Sequence, residues 1–189
     1  MALPRPTRHF WTYEDLLALP EDGKRYEIID GDLIEMTGPN WDHGTVVYNL
    51  VLLLGPLVQT LGGLLRQAPL DVFLGRNVVQ PDLFAILPGG AARPERNGLR
   101  GAPDLVIEVL SPGNIDHDRR RKRATYRDFG VREYWIVDPE TRSVEVLRLQ
   151  DSHHAVETIT GDAVIASTLL SGASLPLAAI FADLDDVRD

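Results

Sequence analysis

The chain has 189 residues, 44% of them hydrophobic and 25% charged, with a formal net charge of −9, a balance that fits a globular domain and argues against a broad, non-specific nucleic-acid binder. There is no cysteine, which excludes a disulfide framework and any thiolate metal site, and which is compatible with a reducing, cytoplasmic location. The greasiest run, Val46 to Leu54, is broken by Tyr48 and Asn49 and is too short to cross a bilayer, and the opening MALPRPTRHFW lacks the apolar core of a signal peptide.

One domain over 1–189 is expected at this length. Its core should span about 25–150, with an acidic tail over 182–189 that frays. Thr12, followed by Glu14 and Asp15, predicts a short helix that stops before Pro20. Two alternating runs, Arg25 to Ile29 and Asp32 to Met36, flank Asp30-Gly31 and predict a hairpin, with Glu27 on the face of Ile29. Over residues 43–61, Val46, Leu50, Leu53, Leu54, Leu57, Val58 and Leu61 recur at helical spacing. Pro56 should kink or break that helix, and Gly62-Gly63 should end it. His43, in its first turn, reads as an exposed polar residue.

Two strands are expected next, Leu64 to Leu74 and Asn77 to Leu87. In the second, Asp82 follows Pro81 and places a carboxylate among apolar neighbours. Residues 88–102 are rich in Gly, Pro and Arg and read as a long, mobile loop. The stretch Ala102 to Pro112 then reads as a buried strand in which Leu105, Ile107 and Val109 face one way. Asp104, Val106, Glu108 and Leu110 face the other. A carboxylate at Glu108 either sits on a half-exposed sheet face, pairs with an arginine, or binds a metal, since burying it alone is expensive.

A helix is expected from about Ile115 to Phe129, with Ile115, Arg119, Lys122, Tyr126 and Phe129 on one face. Lys122 thereby lies on the packing face, while Arg120, Arg121, Arg123 and Arg127 point elsewhere. With Arg93, Arg96 and Arg100 these arginines form either a local positive rim or an ordinary solvated face. Glu133 to Asp138 and Val144 to Leu149 predict a second hairpin, and short strands and turns follow to Phe181. His153-His154 reads as a solvated loop pair.

Two carboxylates on neighbouring strands and a lysine on the core face of the next helix form a chemical set. A hard divalent cation takes one or two carboxylates and keeps its waters. It lowers the pKa of a bound water and polarises a phosphoryl oxygen, while a nearby lysine offsets developing charge.

Pro81-Asp82, Glu108 in an apolar strand and a following lysine resemble the PD-(D/E)XK nuclease superfamily. The phrases Tyr26-Glu27-Ile28-Ile29-Asp30-Gly31, Val79-Gln80-Pro81-Asp82, Ala102 to Pro112 and Gly130 to Pro139 resemble its Uma-type branch of small bacterial restriction-endonuclease-like proteins. The resemblance spans roughly residues 12–180. It implies that Asp82, Glu108 and the backbone carbonyl of Val109 hold Mg²⁺ or Mn²⁺, that Lys122 is catalytic, and that Glu27 is an additional site acid. The superfamily's usual lysine position, two residues after the glutamate, is Leu110 here, so the resemblance places the lysine on the next helix, at Lys122. It further implies a metal-dependent phosphodiesterase, a DNA endonuclease, with DNA as partner, no membrane, and a homodimer suited to a two-fold duplex. The expected fold is α/β: a restriction-endonuclease-like mixed central sheet flanked by helices, with β-hairpins added at both ends. The alternative is a catalytically silent fold of the same type that serves as a binding module. Asp104, in a second Pro-Asp pair, is expected to serve the start of its strand.

Overall fold

The chain reverses at Asp30-Gly31. Both residues have positive φ, 54° and 78°, the backbone that a tight two-residue hairpin requires and that Asp-Gly supplies readily. It joins β1 (Tyr26–Ile29) to β2 (Asp32–Glu35) in antiparallel register, with Glu27 opposite Ile34. The structure is a computed structural model that describes residues 9–111, 117–151, 153–170 and 173–184, apart from the side chains of 117–119. A short helix α1 (Tyr13–Leu17), closed by a Thr12–Asp15 capping box, precedes the hairpin.

Helix α2 (Trp41–Thr60) starts two residues before the expected position because Asn40 caps it, its side chain accepting from the His43 amide at 2.9 Å. Val46, Leu50, Leu54 and Val58 form a fully buried stripe. The helix continues through Pro56, so of the expected kink or break the break does not occur. Gly62, with φ 73°, ends it in the left-handed conformation. Asn40→Ala should remove about 1 kcal/mol, which for a chain of this size lowers the melting midpoint by about 2–4 °C. An unchanged midpoint in a thermal melt would show that other contacts hold the first turn.

The two long strands expected over 64–87 are four short ones: β3 (Leu64–Gln67), β4 (Val72–Leu74), β5 (Asn77–Val79) and β6 (Leu83–Ile86). Each pair is interrupted at a proline, Pro69 or Pro81, which has no N–H to offer a ladder. The stretch read as a mobile loop contains another hairpin, β7 (Arg93–Glu95) and β8 (Gly98–Arg100), anchored where β8 pairs in parallel with β4. There follow β9 (Leu105–Val109), α3 (His117–Asp128), β10 (Glu133–Asp138), β11 (Ser143–Gln150), β12 (His153–Ile159), β13 (Val164–Ser167), β14 (Ala173–Pro176) and α4 (Leu177–Ile180). His153 and His154 thus stand in a strand rather than a loop. His154 is buried with Nε2 3.4 Å from the Val131 carbonyl, and burial lowers its pKa. Ile115, assigned above to the packing face of the α3 helix, lies outside the described residues. Phe129, expected on the same face, is 42% exposed just beyond the helix end.

The strands form two six-stranded mixed sheets, β2-β1-β5-β4-β8-β7 and β12-β11-β10-β9-β6-β3, and a small β13-β14 ribbon. The architecture is therefore mixed α/β, with two large sheets where one central sheet was expected. The second sheet carries the core. Leu105, Ile107 and Val109 of β9 face α2, β13, β14 and α4 in one apolar cluster. Val106 and, from β10, Tyr134 and Ile136 face the first sheet and Tyr126 of α3 in another. Strands β9 and β10 run parallel, so α3 is the crossover helix between them. That connection carries α3 onto the Val106 face, which is also the face of Glu108.

Candidate active site

Four elements bring ionisable groups to the Glu108 side of the second sheet. Strand β9 supplies Glu108, β1 supplies Glu27, the turn before β6 supplies Asp82, and α3 supplies Lys122 and Tyr126. The Lys122 ammonium lies 3.0 Å from Glu27 Oε2 and 3.1 Å from Glu108 Oε1. Tyr126 donates its hydroxyl to the same Glu108 oxygen at 2.7 Å. Glu27 Oε1 accepts from the Gln80 amide at 2.7 Å. The array is deeply set: Glu27 is 0%, Lys122 4% and Glu108 9% exposed.

Asp82 sits beside this array. Strands β6 and β9 are antiparallel neighbours, with Leu83 opposite Ile107, so the residue before β6 meets the end of β9. Asp82 Oδ2 accepts from the Val109 amide at 2.8 Å, next in sequence to Glu108. Asp82 Oδ1 lies 3.1 Å from Nε2 of His43, both side chains being little exposed, at 12% and 13%.

Desolvation raises the Glu108 pKa to about 8; Lys122 opposes the rise, Asp82 and Glu27 add to it, and the Tyr126 hydrogen bond opposes it. The Tyr126 hydroxyl is pushed well above its ordinary value, by burial first and by the charge of Glu108 second, so it stays a donor. Three carboxyl groups, of Glu27, Glu108 and Asp82, stand around the Lys122 ammonium, an excess of acids that a bound cation would offset. Among the described residues no three His, Asp or Glu side chains form an all-protein metal cage. The donors present are two carboxylates at adjoining strand ends, a set that fits Mg²⁺ or Mn²⁺ with retained waters.

Glu27, Glu108 and Lys122 are in direct contact, and Asp82 joins them through the backbone of Val109. Sequence reasoning missed two groups. His43, expected to be exposed, stands three residues before Val46 and so begins the buried stripe of α2. Tyr126 was read only as packing, although a buried tyrosine hydroxyl calls for a partner. Asp104 lies apart from the array: its carboxylate accepts from the Leu87 amide at 2.7 Å and pairs with Arg132 at 3.1 Å, tying the start of β9 to the end of β6.

Of the arginines expected to form a rim or a solvated face, three are neutralised by acids. Arg121 pairs with Asp32 at 2.6 Å, Arg127 with Asp128 at 2.7 Å and Arg100 with Glu95 at 2.8 Å. Arg93, Arg96 and Arg120 are exposed.

The family described as "Uma2: Putative restriction endonuclease" matches residues 13–178. Among solved structures, the chain is similar to a "putative nuclease belonging to DUF820" from Anabaena variabilis ATCC 29413, with a TM-score of 0.76 and 23% sequence identity over 91% of this chain and 98% of that one. That likeness shows a shared fold. No curated protein matches.

Proposed function

The chain belongs to the Uma2 family, and from that premise we propose that it is a divalent-metal-dependent phosphodiesterase that cuts DNA internally. The observation that supports this reading is the buried Glu27–Lys122–Glu108 array with Asp82 at its edge. Two carboxyl groups buried around one ammonium are a poor solution for stability alone. They are a useful one for phosphoryl transfer.

In this reading Asp82, Glu108 and the Val109 carbonyl hold Mg²⁺ or Mn²⁺. The bound ion would lower the pKa of a water and polarise the phosphoryl group. Lys122 orients the attacking water or offsets charge that develops on the phosphate. Tyr126 and Lys122 together fix the Glu108 carboxylate. Glu27, which has no exposed surface, positions Lys122 and the Gln80 backbone and does not meet substrate. A homodimer would present two such sites to a two-fold duplex.

The test is to incubate pure protein with supercoiled DNA, linear DNA and RNA in Mg²⁺, Mn²⁺ or EDTA. Metal-dependent nicking of supercoiled DNA is expected, with none in EDTA and none in Asp82→Asn or Glu108→Gln. Calorimetry should show Mn²⁺ binding that both substitutions weaken strongly. Intact Mn²⁺ binding in both variants would refute the assigned ligands. Absence of cleavage under every metal would favour the binding-module alternative, which the acidic net charge and the acid-paired arginines also suit.

DNA contact makes a further prediction. Arg93, Arg96 and Arg120 are exposed, and in this reading they contact phosphates. If all three do, changing them together to Gln should reduce the slope of log affinity against log salt by about 2–3, since each duplex phosphate contact contributes about 0.9. A filter-binding or anisotropy titration between low and physiological salt measures it. An unaltered slope would assign these arginines to ordinary solvation.

A further inference from the structure

Among the described residues, His43 is a site neighbour that the proposed chemistry leaves without a part. It continues, at the N-terminal end, the stripe of Val46, Leu50, Leu54 and Val58 that packs on the second sheet. An apolar side chain would serve packing there equally well. The imidazole instead places Nε2 3.1 Å from Asp82 Oδ1. The Asn40 cap fixes the backbone from which it projects, through the His43 amide at 2.9 Å.

The contact completes a pattern at Asp82. Its Oδ2 accepts from the Val109 amide of β9, and its Oδ1 faces the imidazole of α2. An ionised carboxylate only accepts, so the proton of this contact lies on Nε2. Two donors from two separate elements set both the position and the plane of the carboxylate. Each oxygen keeps a lone pair beyond the one so used. Without His43, the Val109 amide alone would orient the Asp82 carboxylate.

We propose that His43 is a positioning residue of the metal site, its Nε2–H holding the Asp82 carboxylate in the orientation that ligation requires. The proposal rests on the metal-site reading above and adds to it a group on α2, an element from which no site residue was expected. Partners that orient a ligating side chain typically contribute 10- to 100-fold to metal affinity.

The experiment is Mn²⁺ calorimetry on the full chain, with folding checked by circular dichroism in EDTA. His43→Leu keeps an apolar body on the stripe and removes the donor, and should weaken Mn²⁺ binding by about 10- to 100-fold. Gln carries its Nε2 donor as many bonds from Cβ as the imidazole Nε2, whereas the Asn donor stands one bond short. His43→Gln should therefore bind Mn²⁺ close to wild type and His43→Asn should resemble His43→Leu. A merely structural histidine would not separate Gln from Asn in this way. Should His43→Leu fail to fold, the Gln and Asn pair decides alone. Wild-type affinity in His43→Leu, or equal affinities in the Gln and Asn variants, would overturn the role of His43. Asp82→Asn serves as the reference: unchanged Mn²⁺ binding there overturns the metal-site reading itself, whereas a strong loss there with none in His43→Leu overturns the histidine alone.

Discussion

Lys122→Met should destabilise the metal-free protein by about 3–5 kcal/mol, the cost of leaving buried charge without its partner. The sequence alone suggests a milder result, because Met preserves the packing of the lysine stem. The structure argues otherwise. Lys122 meets two carboxylates, Glu27 Oε2 at 3.0 Å and Glu108 Oε1 at 3.1 Å, and Glu27 has no exposed surface through which water could replace the ammonium. Removing the cation leaves two buried acids facing one another. Glu27→Gln should relieve this, because the amide oxygen can still accept from the Gln80 N–H while the charge is gone. The double variant Glu27→Gln/Lys122→Met should therefore be more stable than Lys122→Met alone. Contacting residues of this kind couple by about 0.5–3 kcal/mol. Urea unfolding of the four proteins in EDTA measures the cycle. A double variant no more stable than the single one would mean that Lys122 does not compensate Glu27.

Much of this arrangement is legible in the sequence, and the parts that are not have identifiable causes. The alternation around Asp30-Gly31 and the helical spacing from Val46 to Val58 are local patterns, and they yield β1, β2 and α2 directly. The alternation from Asp104 to Leu110 likewise assigns Glu108 to the face opposite Leu105, Ile107 and Val109, where the structure puts it. Which sheet a strand joins is not local. The runs 64–74 and 77–87 each look continuous, yet each hands the chain from one sheet to the other, and only Pro69 and Pro81 mark the places. The handover at Pro81 is what delivers Asp82 to the end of β9. The β7–β8 hairpin has no clear sequence signal because its strands are short, β7 is exposed throughout, and both are rich in Arg, Pro and Gly; pairing of β8 with β4 holds it. His43 escaped because a histidine in a first helical turn is usually solvated, although its register with the apolar stripe was there to be read. Lys122 was found by the same register argument, against neighbours that are nearly all basic.

The double variant also separates fold from chemistry, which Lys122→Met alone does not. In Glu27→Gln the ammonium remains paired with Glu108, so this variant is the reference for turnover in Mn²⁺. In Glu27→Gln/Lys122→Met the buried charges are again closer to balance, but the Lys122 ammonium beside Glu108 is gone. Turnover on supercoiled DNA should then fall by about 100- to 1000-fold relative to Glu27→Gln, the scale of losing one preorganised electrostatic group. The loss should appear in kcat with KM little changed. The lysine side chain is only 6% exposed, so it offers almost no surface for holding DNA in the ground state. An interaction made only in the transition state lowers kcat and kcat/KM together. A phosphate-binding role would instead raise KM. A double variant that turns over as fast as Glu27→Gln would make Lys122 a structural cation, one whose whole function is to keep two acids buried beneath the first sheet.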